Sequence, residues 1–247
     1  MRVGFIHGVM NTDNTAISGE TIDYGPCAFM DHYSPKVVFS SIDKLGRYSF
    51  ANQAPIIKWN LSRFAECLIP LIDKDEDTAI KIATEIIDNI EKIYELKWLN
   101  MMRDKLGLFG EDTNDKELIN NLLSWMENNK ADYTNTFCYL MNIKTPEINC
   151  YKSNEFMHWT DRWKKRLNVK EISSSKYLDL MRISNPIVIP RNHKVEEALI
   201  AANENNLELL KNLLTVLENP YADQKNILDY QSPLPITEKK FQTFCGT

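Results

Sequence analysis

The sequence has few glycines and no glycine-rich phosphate loop. Its 8 glycines are scattered over 247 residues, and no Gly-x-Gly-x-x-Gly pattern occurs. That pattern brings backbone N–H groups close to phosphates in kinase-like and dinucleotide-binding proteins. The chain therefore does not carry this means of holding a nucleotide.

Paired cysteines, a basic excess and long apolar runs are also missing. No Cys-x-x-Cys pair occurs among the five cysteines, so we expect most of them to be buried thiols and predict no zinc site. A net charge of −5 argues against nucleic acid as the main partner. The apolar runs are only a few residues long, and the first ten residues carry no extended apolar core. We therefore predict no membrane span, no secretory signal and a cytoplasmic protein.

What is present fits one helical domain over residues 1–247, with a loop-rich tail over 220–247. The composition is 43% apolar and 10% aromatic, which is enough for a sizeable core. Apolar residues at helical spacing predict helices over 55–72, 77–108, 114–128, 132–141 and 195–217. In the last of these we expect a buried leucine stripe. Trp59 and Asn60 are expected to pack inside the domain.

A short segment near the start resembles a kinase catalytic loop with one substitution. In kinases the loop reads His-x-Asp-x-x-x-x-Asn, where Asp accepts the proton of the substrate hydroxyl and Asn binds magnesium. Here His7 and Asn14 are in register, but Val9 occupies the Asp position. A hydrocarbon side chain cannot accept a proton. The segment therefore predicts bound magnesium nucleotide with chemistry other than ordinary phosphoryl transfer.

A second metal ligand is predicted at Asp23, in the triplet Asp23-Tyr24-Gly25. Residues 15–18 and 21–23 favour two short strands joined at Gly19, which would bring Asp23 back beside Asn14. Two protein oxygens, completed by phosphates and water, are a usual way to hold magnesium. The alternative is a chance match, in which this segment is only a polar turn between short strands.

Several segments of the chain resemble the selenoprotein O family. The resemblance rests on His7–Asn14, Ile17–Pro26, Phe39–Asp43, Trp59–Leu61, Asp132–Phe137, Asn185-Pro186, Pro190–His193 and Phe244–Thr247. It implies a mainly α fold with a short β-hairpin, the C-lobe of a protein-kinase-like pseudokinase. It also implies transfer of AMP from ATP to Ser, Thr or Tyr hydroxyls of other proteins. On the matching positions, Asp13 is the expected proton acceptor, Asn14 a magnesium (or manganese) ligand, and Asp23 a ligand of both metal and ATP.

The resemblance further implies that the chain corresponds to the C-terminal half of the family. The expected partners are ATP, acceptor proteins and a separately encoded N-terminal half. Cys245 stands where some family members carry selenocysteine, so it is either a redox-active thiol or an inert one.

Two other interpretations of function stay open. One is a catalytically inactive helical module that binds a partner, and the other is an ordinary kinase-like phosphotransferase, against which Val9 weighs.

The basic run Arg162–Arg166 is expected to be a solvated helix face, with Trp159 and Trp163 turned toward the core. His7 and His193 are expected to be structural.

Overall fold

The computed structural model describes residues 1–146, 149–168, 173–234 and 241–244. The prediction of a mainly helical chain is confirmed. Its helices are α1 (Gln53–Ile72), α2 (Glu76–Lys105), α3 (Asp115–Asn128), α4 (Tyr133–Leu140), α5 (Asn154–Asn168), α6 (Ser174–Ser184), α7 (Asn192–Asn203), α8 (Glu208–Leu217) and α9 (Leu228–Gln231). No helix within these described ranges combines the length and apolar character that a membrane crossing requires.

A small antiparallel sheet pairs β1 (Phe5–Ile6) with β2 (Ala28–Phe29). The strands predicted over residues 15–18 and 21–23 are wrong as strands. In their place a single bridge joins Thr15 to Thr21, across a turn in which Gly19 has a φ of 77°. The β-hairpin is therefore formed by the segments that flank this loop, and the loop itself is held by side chains.

The chain divides into two compact units. One contains Met1–Phe5, Phe29–Ser34 and Leu99–Phe241, and the other contains Ile6–Ala28, Pro35–Trp98 and Gln242–Thr247. The first unit holds most of the helices. The second unit holds α1, most of α2 and the whole kinase-like loop. The prediction of one domain stays a prediction.

A buried carboxylate joins three helices of the first unit. Asp115, at the start of α3, accepts hydrogen bonds of 2.7 Å from the Nε atoms of Arg103 on α2 and Arg166 on α5. The predicted solvated face of α5 is therefore wrong at Arg166, whose side chain is buried. Trp159 and Trp163 do face the core, where their indole N–H groups donate to backbone carbonyls at 2.9 and 2.8 Å.

A second buried charge cluster in this unit is centred on Arg191, just before α7. Its guanidinium contacts Asp31 and Asp132 at 2.6 Å each and also donates to the carbonyl of Gln231 at 2.7 Å. Asp132 is in addition the N-cap of α4, since it accepts from the Asn135 N–H at 2.7 Å. One arginine thus links the segment before α4 to the segment before α7.

Lys105 ends α2 inside the core of the first unit. Its ammonium donates to the carbonyl of Arg2 at 2.8 Å and lies 3.9 Å from the centre of the Phe137 ring. Burial, which disfavours the charged form, is the main reason that the pKa of Lys105 is lowered to about 7, and the nearby charge of Arg2 acts in the same direction.

The helix predicted over 195–217 is wrong as one helix. It is divided into α7 and α8, which are separated by a turn in which Asn205 adopts a φ of 61°. The expected burial of its leucine stripe is wrong for most of the stripe: Leu199, Leu207 and Leu214 are exposed, and Leu213 is buried. Asn60 is buried as predicted, but Trp59 is 41% exposed.

Candidate magnesium and catalytic site

His7 fixes the start of the kinase-like loop. The buried imidazole lies 2.7 Å from the Ile22 carbonyl through Nε2 and accepts from the Val9 N–H through Nδ1 at 3.4 Å. A neutral ring with its proton on Nε2 satisfies both contacts. The His7 N–H in turn donates to the side chain of Gln53 on α1 at 3.2 Å. The histidine therefore connects the loop to the residue that precedes Asp23.

Close packing restricts which residue types can occupy positions 8 and 9. Gly8 has a φ of 92°, and a Cβ atom there would lie 2.5 Å from the Pro26 carbonyl oxygen, which no side chain can accommodate. Val9 is buried with Tyr48 and Ile56, with Met10 packed against the cluster. The position where kinases carry the catalytic Asp therefore belongs to an apolar core in this chain.

Asn14 and Asp23 lie in contact, as predicted. Asn14 ends a short 3-10 helix (Thr12–Asn14), and its side-chain amide donates to the Val9 carbonyl at 3.1 Å and to Asp23 Oδ2 at 3.2 Å. Asp23 has a φ of 56°, a left-handed conformation that is uncommon outside glycine. The residue that the sequence assigns to metal thus adopts an unusual backbone conformation at the point where it meets Asn14.

The chemistry of this pair fits magnesium. The Asn14 nitrogen is engaged, which leaves its Oδ1 and the Asp23 Oδ1 without a hydrogen-bond partner in the described part of the chain. Both are hard oxygen ligands of the kind that magnesium prefers, and ATP phosphates and water commonly complete its coordination. No group of three or more His, Cys, Asp or Glu side chains that could hold a metal is found among the described residues. The pair therefore suits a shared protein–nucleotide metal site better than an all-protein one.

Asp13 directly precedes Asn14 in sequence, but its side chain is not part of the Asn14–Asp23 contact. It is exposed, in the middle of the 3-10 helix, and makes no hydrogen bond or ion pair with the described residues. A carboxylate that is free and accessible can receive a proton from an approaching hydroxyl. Cys245, the predicted redox residue, lies outside the described residues.

The sequence reasoning missed the residues that attach this loop to α1. Asn60 donates to the carbonyls of Met10 and Asn11 at 3.0 and 3.4 Å, and to the Thr15 hydroxyl at 2.7 Å. The hydroxyl of Tyr48 donates to the side chain of Asn11. A polar residue within the apolar face of α1 was the available signal for Asn60, because buried amides normally have partners.

The loop and most of the helices lie within a match to a known family. A protein-family model described as protein adenylyltransferase SelO matches residues 1–218. The chain belongs to the SelO family. The match includes Asp13, Asn14 and Asp23, together with Gly8 and Asn60.

Individual SelO relatives are similar along the whole chain. The protein nucleotidyltransferase YdiU of Pelagibacter ubique is 61% identical over 249 residues, which is 100% of this chain and 51% of the relative. The proteins of the same name from Nitrosococcus oceani and Brevibacillus brevis are 52% and 50% identical, over 100% and 99% of this chain and 50% of each relative. The chain thus spans about half the length of these SelO relatives.

Proposed function

We propose that the chain supplies the metal-binding and proton-accepting part of a protein adenylyltransferase that has a kinase-like C-lobe. The observation that carries the proposal is the contact of Asn14 with Asp23 at 3.2 Å, beside a loop whose catalytic Asp position holds the buried Val9. Two magnesium ligands are kept and the phosphotransferase base is replaced. Membership of the SelO family supports nucleotidyl transfer as the chemistry that remains.

The proposed reaction joins the AMP part of ATP to a Ser, Thr or Tyr hydroxyl of an acceptor protein. The hydroxyl oxygen attacks the α-phosphorus and forms the new P–O bond, while the bond from that phosphorus to the β-phosphate bridging oxygen breaks. Pyrophosphate leaves, and Asp13 accepts the hydroxyl proton. Asn14 and Asp23 would hold magnesium, which would offset the negative charge of the phosphates. Manganese, which also accepts oxygen ligands, can take the same role.

The location of the radioactive label tests the proposal directly. The chain is incubated with candidate acceptor proteins and ATP labelled at either the α- or the γ-phosphate, alone and together with the remaining part of the Pelagibacter ubique relative. We expect transfer of the α-label only. Transfer of the γ-label would establish the ordinary kinase alternative. Absence of transfer from either label under both conditions would contradict adenylyl transfer by this chain.

A second candidate function is a helical module that binds a partner polypeptide. One observation favours it: α2 exposes large apolar residues at helical spacing, namely Ile82, Ile86, Ile93 and Leu96. Contiguous exposed apolar surface commonly marks an interaction site. The two functions are compatible, because a partner bound to α2 leaves the residues of the candidate site as they are.

A further inference from the structure

An exposed tryptophan of the second unit lies between two arginines. Trp59 on α1 is 41% exposed. The guanidinium carbon of Arg47 lies 4.7 Å from the centre of its ring, and that of Arg63 lies 5.6 Å from it. Arg47 also lies 5.8 Å from the ring of Tyr48. An arginine that stacks on aromatic rings keeps its N–H groups available at the edge of the plane while losing side-chain freedom.

The two arginines differ in their partners. Arg63 forms an ion pair with Glu66, one turn further along α1, at 2.5 Å. The guanidinium of Arg47 makes no ion pair with the described residues, although its backbone is fixed, because the Arg47 N–H donates to Asp43 at 2.8 Å. Arg47 therefore presents an oriented positive charge that has no carboxylate partner within the described ranges.

This arginine surface adjoins the candidate site on the side of Asn11. Tyr48, the residue after Arg47, bonds to the Asn11 side chain, and Asn60, the residue after Trp59, donates to the Asn11 carbonyl. The magnesium pair is formed instead by Asn14 and Asp23. Asp13 is exposed and lies between Asn11 and Asn14 in the chain. The arginine surface is therefore connected to Asp13 through Asn11, and the proposed metal pair is connected to it through Asn14.

We propose that Arg47, Trp59 and Arg63 form a docking site for an acidic segment of the acceptor protein. The inference rests on the proposed function, because it names the substrate feature that this site recognises. Arginine pairs with a carboxylate through two parallel hydrogen bonds, and the indole offers an apolar face to the neighbouring side chains of the same segment.

A carboxylate is favoured over a nucleotide phosphate as the ligand of Arg47. The phosphates must contact magnesium at Asn14 and Asp23, whereas the aromatic side chains that orient Arg47 belong to the Asn11 side of the loop. An acceptor polypeptide that places its hydroxyl at Asp13 has to extend beyond the nucleotide. We therefore expect acceptor hydroxyls that have Asp or Glu residues close by in the sequence.

Binding of two matched peptides tests this without any catalytic step. The complete chain is titrated into a fluorescein-labelled serine peptide flanked by Asp and Glu, or into the same peptide with Asn and Gln, and fluorescence anisotropy is followed at low salt without ATP. We expect the acidic peptide to bind more tightly. Arg47→Ala is expected to weaken acidic-peptide binding about tenfold, the size of one lost charge-assisted hydrogen bond. Arg182→Ala, at a half-exposed arginine of α6, is the matched control and is expected to change nothing.

Three further variants separate the orientation of the arginines from their charge. Trp59→Leu keeps an apolar side chain but removes the ring on which both arginines stack, so we expect it to weaken binding of the acidic peptide. Trp59→Phe keeps an aromatic ring and is expected to bind the peptide about as well as the parent chain. Glu66→Gln removes the partner of Arg63 and is expected to tighten binding of the acidic peptide. Both effects should diminish at high salt, since exposed charge pairs are screened.

The outcomes distinguish this proposal from the proposed function. Equal affinity for the two peptides, or unchanged affinity in Arg47→Ala, overturns the docking site whether or not AMP is transferred. Loss of magnesium–ATP binding in Arg47→Ala, with acidic-peptide binding retained, assigns the arginine to nucleotide phosphate and also overturns it. Arg47-dependent binding of the acidic peptide supports the docking site even where α-label transfer fails.

Discussion

At the scale of single residues, the site combines the Asn14–Asp23 contact, our proposed metal pair, with an apolar residue at the position where kinases carry the catalytic Asp. Asn14 reaches Asp23 because its amide is also held by the Val9 carbonyl. The same Val9 contributes its side chain to an apolar cluster. A single short loop therefore holds the two proposed metal ligands together and has no general base at the kinase position.

Substitution of Asp23 and substitution of Asp13 are predicted to have different effects. Asp23→Ala removes the only carboxylate of the proposed metal pair, so we expect magnesium-dependent ATP binding to be lost. Asp13→Ala should leave ATP affinity nearly unchanged and lower turnover about 10²–10⁴-fold, because a base acts mainly in the transition state. Calorimetry with and without magnesium, together with α-label transfer, measures the two effects. Asp77→Ala, on the exposed side of α2, is the control. Equal loss of ATP affinity in both site variants would contradict the assigned roles.

Restoring the kinase residue is predicted to destabilise the chain without creating a kinase. Val9→Asp places an unpaired carboxylate against Tyr48 and Ile56 in a cluster that is almost closed to water. We expect a loss of roughly 2–4 kcal/mol in the free energy of unfolding and no γ-label transfer. Urea denaturation measures the loss, with Val9→Ala as a control for lost packing alone. Gain of γ-label transfer in Val9→Asp would show that the loop can still support phosphoryl transfer.

At the scale of secondary-structure elements, buried ion pairs connect segments that are distant in sequence. Asp115 receives Arg103 from α2 and Arg166 from α5, and it also accepts the Asp112 N–H at 3.1 Å. Burial alone would raise the pKa of Asp115, but hydrogen bonds from Arg166 and Arg103 outweigh it and hold the pKa below its usual range. The packing of α3 between two arginine-bearing helices thus depends on the ionised carboxylate.

This dependence gives a prediction with a defined pH window. Because the pKa of folded Asp115 is depressed, its stabilising contribution is fully present above the pKa of the unfolded chain, about 3.9. The contribution is lost as pH falls through the lower folded value. Asp115→Asn leaves two buried arginines without their anion and should cost about 3–5 kcal/mol at pH 7, with a smaller difference near pH 3. Urea denaturation at both pH values, with the exposed Asp161→Asn as control, measures this. A difference that stays constant with pH would contradict the role of the charge.

The sequence was informative where one periodicity or one local pattern determined the structure. α1, α3 and α4 were predicted almost to their ends, since their apolar spacing is regular. The closeness of Asn14 and Asp23 was also predicted, although the reason given was wrong, because one bridge and the Asn14 amide replace the expected pair of strands.

The remaining differences come from contacts that local patterns do not contain. The basic run at 162–166 was interpreted as solvated, because the partner of Arg166 lies far away in sequence at Asp115. The division between α7 and α8 occurs without proline or glycine, at Asn205 in a left-handed conformation. At Arg166 a long-range contact, and at Asn205 a single backbone conformation, produces a structure that differs from the one the local pattern predicts.

At the scale of the whole molecule, the described surface retains large apolar side chains. Ile86 is 61% exposed on α2, and Ile17 is 85% exposed on the loop that carries Asn14 and Asp23. The apolar side chains of residues 1–5 are less exposed than Ile17. Surface of this kind promotes association.

We therefore predict that the chain self-associates through α2. Ile86→Lys combined with Ile93→Lys should reduce the concentration-dependent increase in mass seen by light scattering, while the circular dichroism spectrum stays unchanged. Ile183→Lys, at an exposed isoleucine of α6, is the control. A parent chain that remains monomeric at all concentrations would contradict the prediction.

The buried Lys105 provides a chemical measure of how often the core of the first unit opens. Lys105 is enclosed between Phe137 and the Arg2 carbonyl, so an acylating reagent reaches its amine only when the core opens. Burial is the main cause of the lowered pKa of Lys105, so the opened core exposes an amine with the reactivity of an ordinary lysine. The rate of acylation at Lys105, followed by peptide mass spectrometry, should thus be far slower than at surface lysines and should rise steeply with small amounts of urea. The acylation rate of this one side chain would then report how often the helical core opens.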